Sequence, residues 1–432
     1  VSSVQVKPQT IGNLRTELNN AGQECPDIGS LSGAMQKRFK RWVRTIPSEK
    51  LRFFLCHFPT EPWKALADIC HLNPKDFQLS YFLEMCFGGE PPAGSLVAEM
   101  KSVTNENFAE GIDSVLNSFL VLRRHPELAS DYSYFRSKGI IASEEAQLLL
   151  ATHAPLEDLI WFAEEVSSED ERPVENRIYG RLSQGERIKE SARTNYGKVM
   201  ERLLLLRERG VSYAEFLLPF AEGRLSAIRE LVPPSGGAAV AVFGDASGSM
   251  QVAIKCACSL SSLFSAVFGS DLVFFNTSAW DPPKIPRSAS DTLQVVEGTK
   301  AGGGTSMAAP LYRYYEQKKK IDMFILVSDE EENRAFQGEM FLSLFQKYRA
   351  EVNRKVKLCF VSFLSVGSHG EIVPDRSQLL CHFSGRLKSQ FDGAGIPSRQ
   401  LRLDGRRPDT SKFDALLGMV AMELEEFRES DQ

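Results

Sequence analysis

The stretch that decides the fold reads Ala239-Val-Ala-Val-Phe-Gly-Asp245-Ala-Ser247-Gly-Ser249-Met250. Its apolar half is typical of a buried β-strand, and a carboxylate and two hydroxyls follow where that strand ends. A hard divalent cation such as Mg²⁺ prefers oxygen ligands and gives up its water shell reluctantly. Asp245, Ser247 and Ser249 are therefore candidate ligands of such a cation.

Two further segments add oxygen ligands to this set. Gly302-Gly-Gly-Thr305-Ser is a glycine-rich turn that can bring the Thr305 hydroxyl close to an ion, and Phe324-Ile-Leu-Val-Ser-Asp329 is a second apolar strand that ends in a carboxylate. Open α/β sheets bind their ligands outside the carboxyl ends of the strands. The sequence thus predicts a site for Mg²⁺, with Mn²⁺ as the second choice, formed by Asp245, Ser247, Ser249, Thr305 and Asp329.

Composition limits the class of protein. The chain has 432 residues, of which 43% are hydrophobic and 25% charged, enough apolar material for two domains. We expect a soluble intracellular protein, because no signal peptide and no apolar run of roughly 18 residues is present and the eight cysteines lack paired zinc spacing. The net charge of −5 excludes a general polycation, so any nucleic-acid contact must come from a local patch.

The segment Leu231-Val-Pro-Pro-Ser-Gly-Gly237 marks a predicted domain boundary, because prolines end a helical pattern there and glycines precede the first strand. We predict a polar, disordered tail at 1–30, an α-helical domain at 31–230 and an α/β domain at 236–432. Helical periodicity upstream of the boundary covers 51–58, 62–70, 74–87, 107–122, 143–152, 156–166 and 194–209.

Downstream of the boundary, strands alternate with helices. The predicted strands are 238–243, 271–275, 323–327 and 357–363, and the predicted helices are 251–267, 306–319, 336–353 and 412–426. Such alternation is typical of a doubly wound, mostly parallel sheet with helices on both faces. The metal-site residues would then lie at one edge of this sheet.

The five candidate ligands, in this order and spacing, resemble the metal-ion-dependent adhesion site (MIDAS) of von Willebrand factor A (vWA) domains. The resemblance covers about 190 residues, counted from the predicted domain boundary. It implies a Rossmann-like α/β domain. It also implies a coordination place on the ion that is left for an acidic residue of a protein partner.

The helical half carries a second resemblance. Trp63-Lys-Ala-Leu-Ala-Asp-Ile-Cys-His71-Leu-Asn-Pro74 and His153-Ala-Pro-Leu-Glu-Asp-Leu-Ile160 are similar to short helix-turn segments of the TROVE module, the HEAT-like helical ring of Ro autoantigens. In that family a vWA domain follows the helical ring, as predicted here. The resemblance implies a ribonucleoprotein that binds small structured or misfolded RNA, in the cytoplasm or also in the nucleus.

Two basic stretches are candidates for RNA contact, because phosphates attract clustered cations and aromatic rings can stack on bases. The candidate residues are Lys37, Arg38, Lys40, Arg41, Trp42 and Arg44 in the first stretch, and Arg177, Arg181, Arg187, Lys189 and Arg193 in the second, with His71 added by the family resemblance. Glutamates are interleaved in the second stretch, so a solvated helix face with internal ion pairs is an equal alternative there.

The leading hypothesis is a non-enzymatic RNA-binding protein with a metal-dependent partner site. The alternative is a metal-dependent protein-protein scaffold that binds no RNA. Gly304-Thr305-Ser306-Met-Ala-Ala-Pro310 matches the short signature around the serine of subtilisin-like proteases, but His369 follows Ser306, whereas those enzymes have the order Asp, His, Ser. We therefore predict no enzymatic activity.

Overall fold

The structure is a computed structural model that describes residues 33–98, 101, 119–120, 122–132, 136, 143–163, 173–191, 194–231, 238–363, 387–405 and 408–429. The predicted tail at 1–30 and most of the predicted helix at 107–122 lie outside these residues. Within the described ranges, no helix is long and apolar enough to cross a membrane. The chain divides into two compact units, residues 1–155 and residues 156–432.

The first unit is helical in its described parts. Its elements are α1 (Gly33–Arg44), α2 (Ser48–His57), α3 (Glu61–Cys70), α4 (Phe82–Cys86) and α5 (Glu144–His153), with 3₁₀ turns at Pro74–Asp76 and Pro126–Asp131. Side-chain oxygens mark two of the starts: Asn73 accepts a hydrogen bond from the Lys75 amide at 3.0 Å, and Ser143 accepts one from the Ala146 amide at 3.5 Å. These caps satisfy amides that have no partner within the helix.

An aromatic cluster forms the core beneath α1 to α4. Trp63 on α3 is only 2% exposed, and its ring packs against the rings of Trp42, Phe54, Phe77 and Phe82 at centroid distances between 5.2 and 6.2 Å. Aromatic pairs at such separations add to the stability that burial of apolar surface provides. Four short helices thus share one core.

The second unit begins with helices and continues into a sheet. The helices are α6 (Leu156–Trp161), α7 (Pro173–Ser183), α8 (Tyr196–Glu208) and α9 (Leu217–Leu231), with a 3₁₀ turn at Ser212–Phe216. The strands are β1 (Val240–Asp245), β2 (Asp271–Phe275), β3 (Ala279–Trp280), β4 (Met323–Ser328), β5 (Lys357–Phe363) and β6 (Arg399–Leu403). They are ordered β3-β2-β1-β4-β5-β6, and all pairs are parallel except β2 with β3.

Helices cover both faces of this sheet. They are α10 (Gln251–Ser265), α11 (Ala289–Gly298), α12 (Ala308–Glu316), α13 (Phe341–Glu351), α14 (Leu387–Gly393) and α15 (Phe413–Glu429), with a 3₁₀ turn at Thr410–Lys412 before α15. On one face α12, α13 and α14 pack on alternate residues of the strands, among them Phe243 and Phe324. On the other face α10 lies so close to β1 that a Cβ at Gly244 would be 2.8 Å from the Ala257 Cβ.

The predicted fold class, an all-α region followed by an α/β region with a mostly parallel sheet, is confirmed. The predicted strands at 271–275, 323–327 and 357–363 match β2, β4 and β5 to within one residue, and 238–243 overlaps β1. The sequence analysis did not identify β3, β6, α11 or α14. Both missed strands lie at the ends of the sheet order, and β6 has exposed as well as buried positions, so it has no continuous apolar run.

The compact units divide between Pro155 and Leu156, whereas the sequence predicts a boundary at 231–237. Helix α8 belongs to the sheet unit, because the Tyr196 hydroxyl lies 2.6 Å from the Ser262 hydroxyl on α10. The Asn195 amide group also donates to the Ser411 carbonyl at 2.5 Å, next to α15. The proline-glycine sequence pattern carries no information on these contacts, which bear on whether 236–432 can fold alone.

Candidate metal centre and candidate basic surface

The strand order creates a crevice at the carboxyl end of the sheet. From β1 the chain continues to β2 on one side, then crosses back to β4 on the other side, so the order reverses between β1 and β4. Gly244 and Val327 are the last paired residues of these strands, and Asp245 and Ser328 come next. Open α/β sheets bind ligands at such a switch point.

Asp245 is fully buried in this crevice. Its Oδ1 accepts a hydrogen bond from the Ser247 amide at 2.9 Å, and its Oδ2 accepts one from the Ser328 hydroxyl at 2.6 Å. Burial raises the pKa of Asp245 to about 6; the hydrogen bonds from Ser328 and Ser247 oppose this rise, and the charge of Asp329 adds to it. The ionised carboxylate therefore lacks full compensation for its buried charge.

Asp329 lies beside Asp245 and is half-buried. The Ser328 hydroxyl is 3.4 Å from its Oδ1, so one hydroxyl contacts both carboxylates. The Glu331 amide donates to the same oxygen at 3.0 Å. Burial, with a contribution from the charge of Glu330, raises the pKa of Asp329, although the hydrogen bonds oppose that rise.

The hydroxyl-bearing turns are joined by backbone hydrogen bonds. The Gly248 amide donates to the Gly303 carbonyl at 3.1 Å, and the Gly302 amide donates to the Ala246 carbonyl at 2.8 Å. Gly303 has a φ of +86°, a conformation that favours glycine. The turn that carries Ser247 and Ser249 and the turn that precedes Thr305 are consequently held side by side.

The predicted ligands differ in their exposure. Ser247 and Thr305 are buried, whereas Ser249 is exposed. The Thr305 amide donates to the Asn333 Oδ1 at 3.0 Å, and the amides of Asn333 and Arg334 both donate to the Thr305 carbonyl. The segment after β4 therefore fixes the backbone of Thr305 and leaves its hydroxyl without a hydrogen bond to any described residue.

A divalent cation fits this arrangement. The two neighbouring carboxylates have raised pKa values, and among the described residues neither forms an ion pair. No group of three or more His, Cys, Asp or Glu side chains in the described part of the chain could hold a metal ion. A site here must therefore use hydroxyl oxygens beside the two carboxylates, a donor set that suits a hard ion such as Mg²⁺ or Mn²⁺.

Two of the three glutamates after Asp329, Glu330 and Glu332, are committed to structural contacts, and Glu331 is exposed. Glu330 is 4% exposed and accepts hydrogen bonds from Ser362, Gln400 and the Lys388 amide. Glu332 accepts from the amide of Ala308 at 2.8 Å and from that of Phe341 at 2.7 Å, so it caps α12 and α13 together. Burial raises the pKa of Glu332.

The first basic stretch forms α1, which divides it into two faces. Lys37, Arg38 and Arg41 are exposed and form what we call the basic face of α1. Trp42 lies on the opposite, inner side, where its ring stacks on Trp63 at a centroid distance of 6.0 Å and an interplanar angle of 7°. Trp42 thus contributes to the core beneath α1 and is not placed among the exposed cations.

Two cations of α1 act on the buried carboxylate of Asp76, although the Arg44 side chain is itself exposed. Arg44 donates from Nε at 3.0 Å and from Nη2 at 2.7 Å to the Oδ1 of Asp76, which is only 1% exposed. Lys40 is half-buried and acts on the pKa of Asp76 through its charge. The ion pair of Arg44 therefore links the end of α1 to the 3₁₀ turn at Pro74–Asp76.

His71 ends α3. Its backbone is left-handed, with φ 51° and ψ 49°, its amide donates to the Ala67 carbonyl, and its side chain is exposed. This is the geometry of a helix C-cap, which glycine or asparagine more often adopts. The imidazole is therefore accessible at the surface of the first unit.

The second basic stretch is also divided. Arg177 on α7 and Arg187 and Lys189 after it are exposed. Arg181 donates from Nε to Glu186 at 2.7 Å and from Nη2 at 2.5 Å, which is the internal ion pair that the solvated-face alternative predicts. Arg193 lies outside the described residues.

The sequence analysis missed Ser328 and Asn333. Ser328 is the hydroxyl that contacts both carboxylates, but it sits within an apolar strand and its partner Asp245 is 83 residues away. Asn333 holds the Thr305 amide across 28 residues. A signal for Ser328 was available, since it is the one polar residue of the run Phe324-Ile-Leu-Val-Ser-Asp329 that precedes the carboxylate.

The fold and site define a class: helices followed by a mostly parallel α/β sheet with a polar, acidic crevice at its switch point. The crystal structure of the RO (RSR) protein of Deinococcus radiodurans is similar over 85% of this chain and 77% of that chain, with 14% sequence identity and a TM-score of 0.42. No protein-family model and no curated protein sequence matches the chain.

Two shorter solved structures are similar to less than half of the chain. The conserved hypothetical protein BatB of Bacteroides thetaiotaomicron covers 44% of this chain and 100% of its own, at 14% identity and a TM-score of 0.30. An aerotolerance-related membrane protein of Bacteroides fragilis covers 43% of this chain and 100% of its own, at 12% identity and a TM-score of 0.29. Likenesses this remote carry no information about what this chain binds.

Proposed function

We propose that this chain is a non-enzymatic RNA-binding protein of the Ro type whose α/β unit binds a divalent cation, Mg²⁺ first and Mn²⁺ second. The observation that carries the metal assignment is the Ser328 hydroxyl, which contacts Asp245 at 2.6 Å and Asp329 at 3.4 Å where two neighbouring parallel strands end. Two acidic groups are held together there, and a cation would offset their repulsion. Ser247, Ser249 and Thr305 would supply further oxygens.

The ion would then serve as a docking point for an acidic group of a protein partner. Ser249 is exposed and Asp329 only half-buried, so one side of the crevice is open to solvent. Glu330 and Glu332 are held by hydrogen bonds to other parts of the fold, and neither is available as a positioned base for hydrolysis. Two of the three glutamates that follow Asp329 are thereby removed as candidates for a catalytic base, which favours a binding role.

RNA binding is proposed for the exposed cations. The basic face of α1 presents Lys37, Arg38 and Arg41, and Arg177, Arg187 and Lys189 are exposed in the other basic stretch. Clustered cations of this kind can neutralise phosphates and release condensed counterions. The proposal places the protein in the cytoplasm, with the nucleus as a second location.

The alternative function, a metal-dependent scaffold without RNA, is favoured by a specific set of contacts. Arg44 is bound to Asp76, Arg181 to Glu186, and Trp42 is stacked in the core, which removes part of each predicted RNA surface. Both functions include the metal site. They differ only in whether the exposed Lys and Arg side chains bind RNA.

Calorimetric titration of Mg²⁺ and Mn²⁺ into the full chain tests the metal site. We expect the wild type to bind and Asp245→Ala to lose binding, because the substitution removes both a ligand and a charge. Asp281→Ala is the matched control, since Asp281 is an exposed carboxylate paired with Arg313. Unchanged affinity in Asp245→Ala, with near-ultraviolet dichroism like that of the wild type, would refute the assignment.

RNA binding is tested by measuring affinity for a small structured RNA with a single-stranded end across a salt series. A protein that contacts phosphates loses affinity with a slope of about −0.7 per contact on single strands. A steep slope supports the RNA function. No binding at low salt, or a slope near zero, would favour the scaffold.

A further inference from the structure

Glu330, which directly follows Asp329, has an unusual backbone. Its φ is +67°, in the left-handed region where a Cβ clashes with the following carbonyl and glycine is the usual residue. Glutamate has no special ability to adopt this region. Some other interaction must therefore compensate for the steric cost at this position.

The side chain of Glu330 provides that compensation. It is 4% exposed and reaches into the sheet unit, where its Oε1 accepts hydrogen bonds from the Ser362 hydroxyl on β5 and the Gln400 amide group on β6. Its Oε2 accepts one from the Lys388 amide at the start of α14, at 2.9 Å. A carboxylate with three donors is tightly anchored, because leaving any of these buried groups unpaired costs free energy.

The backbone of Glu330 acts on the candidate metal site. Its amide donates to the Ser328 Oγ at 3.2 Å, and that hydroxyl in turn donates to the Asp245 Oδ2 at 2.6 Å. The same turn sets the direction of Asp329, whose Oδ1 accepts from the Glu331 amide at 3.0 Å. If Glu330 left the left-handed region, both the Ser328 bridge and the Asp329 carboxylate would shift.

We propose that Glu330 is a positioning residue of the metal site: its anchored side chain holds the left-handed turn that keeps Ser328 and Asp329 directed at Asp245. Glu330 itself does not contact the ion. This inference rests on the proposed function of the crevice in cation binding. It adds a link between the site and elements that carry no ligand, namely β5, β6 and α14.

The proposal predicts that Glu330→Gly binds Mg²⁺ more tightly than Glu330→Ala. Glu330→Ala removes the anchor but keeps the Cβ, so the turn leaves the left-handed region in most molecules. Glu330→Gly removes the same anchor and also the steric cost, so the turn persists. When a binding-competent state is only partly populated, the apparent affinity falls by that fraction.

Mg²⁺ affinity is measured by calorimetry on the full chain. We expect Glu330→Ala to bind about tenfold more weakly than the wild type, which corresponds to roughly 1.4 kcal/mol, and Glu330→Gly to bind within about twofold of the wild type. The midpoint of thermal unfolding without metal should be lowered in both variants, because both leave the Ser362 hydroxyl and the Lys388 amide without the Glu330 acceptor. A residue with only a structural role would show no recovery of metal affinity with glycine.

Gln337 offers a matched control. It is an exposed residue of the same loop with a φ of +51°, and it stands in the turn closed by Phe336 and Glu339, away from the two carboxylates. Gln337→Ala and Gln337→Gly should differ in stability but not in Mg²⁺ affinity. Ser362→Ala removes one donor and keeps Glu330, so it gives a milder variant if Glu330→Ala does not fold.

The results distinguish a failure of the metal site from a failure of the positioning role of Glu330. If the wild type does not bind Mg²⁺ or Mn²⁺, the proposed function fails. Should the wild type bind and Glu330→Ala or Ser362→Ala bind equally well, the positioning role is refuted and the metal site stands. Equal weakening in the alanine and glycine variants would also refute it, because the backbone would then not be the property that matters.

Discussion

The candidate metal site and the basic stretch of α1 were both predicted from short polar patterns. The structure brings the two carboxylates of the first pattern together, whereas it divides the residues of the second between core and solvent. Asp245 and Asp329 end adjacent parallel strands whose register leaves little freedom, and the Ser328 hydroxyl contacts both. The cations of α1 lie on a helix, where the angular position of each residue decides its neighbours. Trp42 consequently stacks on Trp63, and Arg44 pairs with the buried Asp76 while its side chain stays exposed, as Lys37 does.

This difference shows that a polar pattern predicts the position of a side chain better at the end of a buried strand than along a helix. A residue at the end of a buried strand has its position set by the whole sheet, so three separated segments can be brought to one edge. A run of mixed basic and aromatic residues on a helix is divided between core and solvent by the 3.6-residue period. The predictions below test each half of this comparison.

The largest effect is expected when the sheet is separated from its helices. The predicted boundary implies that 236–432 folds alone, whereas the contacts of α8 imply that it does not. Removal of 156–231 would expose the partners of Tyr196, which is fully buried, and leave Asp414 without the Tyr196 and Gly197 amides. We expect the fragment 156–432 to unfold cooperatively and the fragment 236–432 to lack near-ultraviolet dichroism.

A native dichroism spectrum for 236–432 would support the boundary predicted from the sequence. Mg²⁺ titration of both fragments adds a second measurement, since the crevice residues are all present in each. Binding by 156–432 but not by 236–432 would show that α6 to α9 are needed for a formed site.

The second largest effect is expected on the free energy of unfolding in the absence of metal, as the pH is changed. The folded pKa of Asp245 is about 6 and its usual value is 3.8, so the folded state holds this proton more tightly than the unfolded state. Stability from this group is therefore complete below about pH 4 and is lost as the pH rises through 6. At neutral pH the loss amounts to about 3 kcal/mol at 1.36 kcal/mol per pKa unit.

Asp245→Asn removes that charge and tests the argument. In chelator at pH 7.5 we expect the variant to be more stable than the wild type toward urea, by up to about 3 kcal/mol. Added Mg²⁺ should then stabilise the wild type and leave the variant unchanged. If the variant is less stable in chelator and the wild type gains nothing from Mg²⁺, the crevice is an ordinary buried polar cluster.

Much of the α/β half could be predicted from sequence, because β1, β2, β4 and β5 are continuous apolar runs that strand periodicity identifies. The candidate ligand set follows from where two of those runs end, and metal binding stays a prediction. The left-handed turn at Glu330 could not be predicted, since its anchors on Ser362, Lys388 and Gln400 are 32, 58 and 70 residues away. Local patterns carry no information on such contacts.

In the helical half the sequence predicted helices but not their faces. The inward direction of Trp42 depends on Trp63 of another helix, and the ion pair of Arg44 depends on Asp76, 32 residues away. The contact of Tyr196 with Ser262 likewise spans 66 residues, so no local pattern reports it. Sequence periodicity identifies a helix, but tertiary contacts decide which of its faces packs in the core and which is exposed to solvent.

A smaller effect is expected from Arg44→Ala. Burial opposes ionisation of Asp76, but hydrogen bonds from Arg44 and the Asn73 amide outweigh it and hold the pKa of Asp76 below its usual value. Asp76 therefore contributes stability that is present above its unfolded pKa and is lost as the pH falls through its lower folded pKa. Loss of the charged donor should destabilise the full chain by about 2 kcal/mol at pH 7.

Arg41→Ala is the matched control for Arg44→Ala, because Arg41 is an exposed arginine of the same helix that donates to the Lys37 carbonyl, whereas Arg44 donates to the buried Asp76. We expect it to change the free energy of unfolding by less than about 0.5 kcal/mol. Equal effects of the two substitutions in urea unfolding would contradict a stabilising role of the Arg44–Asp76 ion pair.

The smallest effect on stability is expected from reversing the basic face of α1. Lys37→Glu, Arg38→Glu and Arg41→Glu together should leave the thermal midpoint nearly unchanged, because these side chains are exposed and contribute little to packing. If they contact RNA phosphates, the salt slope of binding should fall by about 2, from three contacts at about 0.7 each. Lys300→Glu, Lys320→Glu and Arg354→Glu form a control of equal charge change on exposed positions of the sheet unit. Equal loss of affinity in both triple variants would mean that RNA responds to net charge alone, and the basic face of α1 would then be a solvated surface.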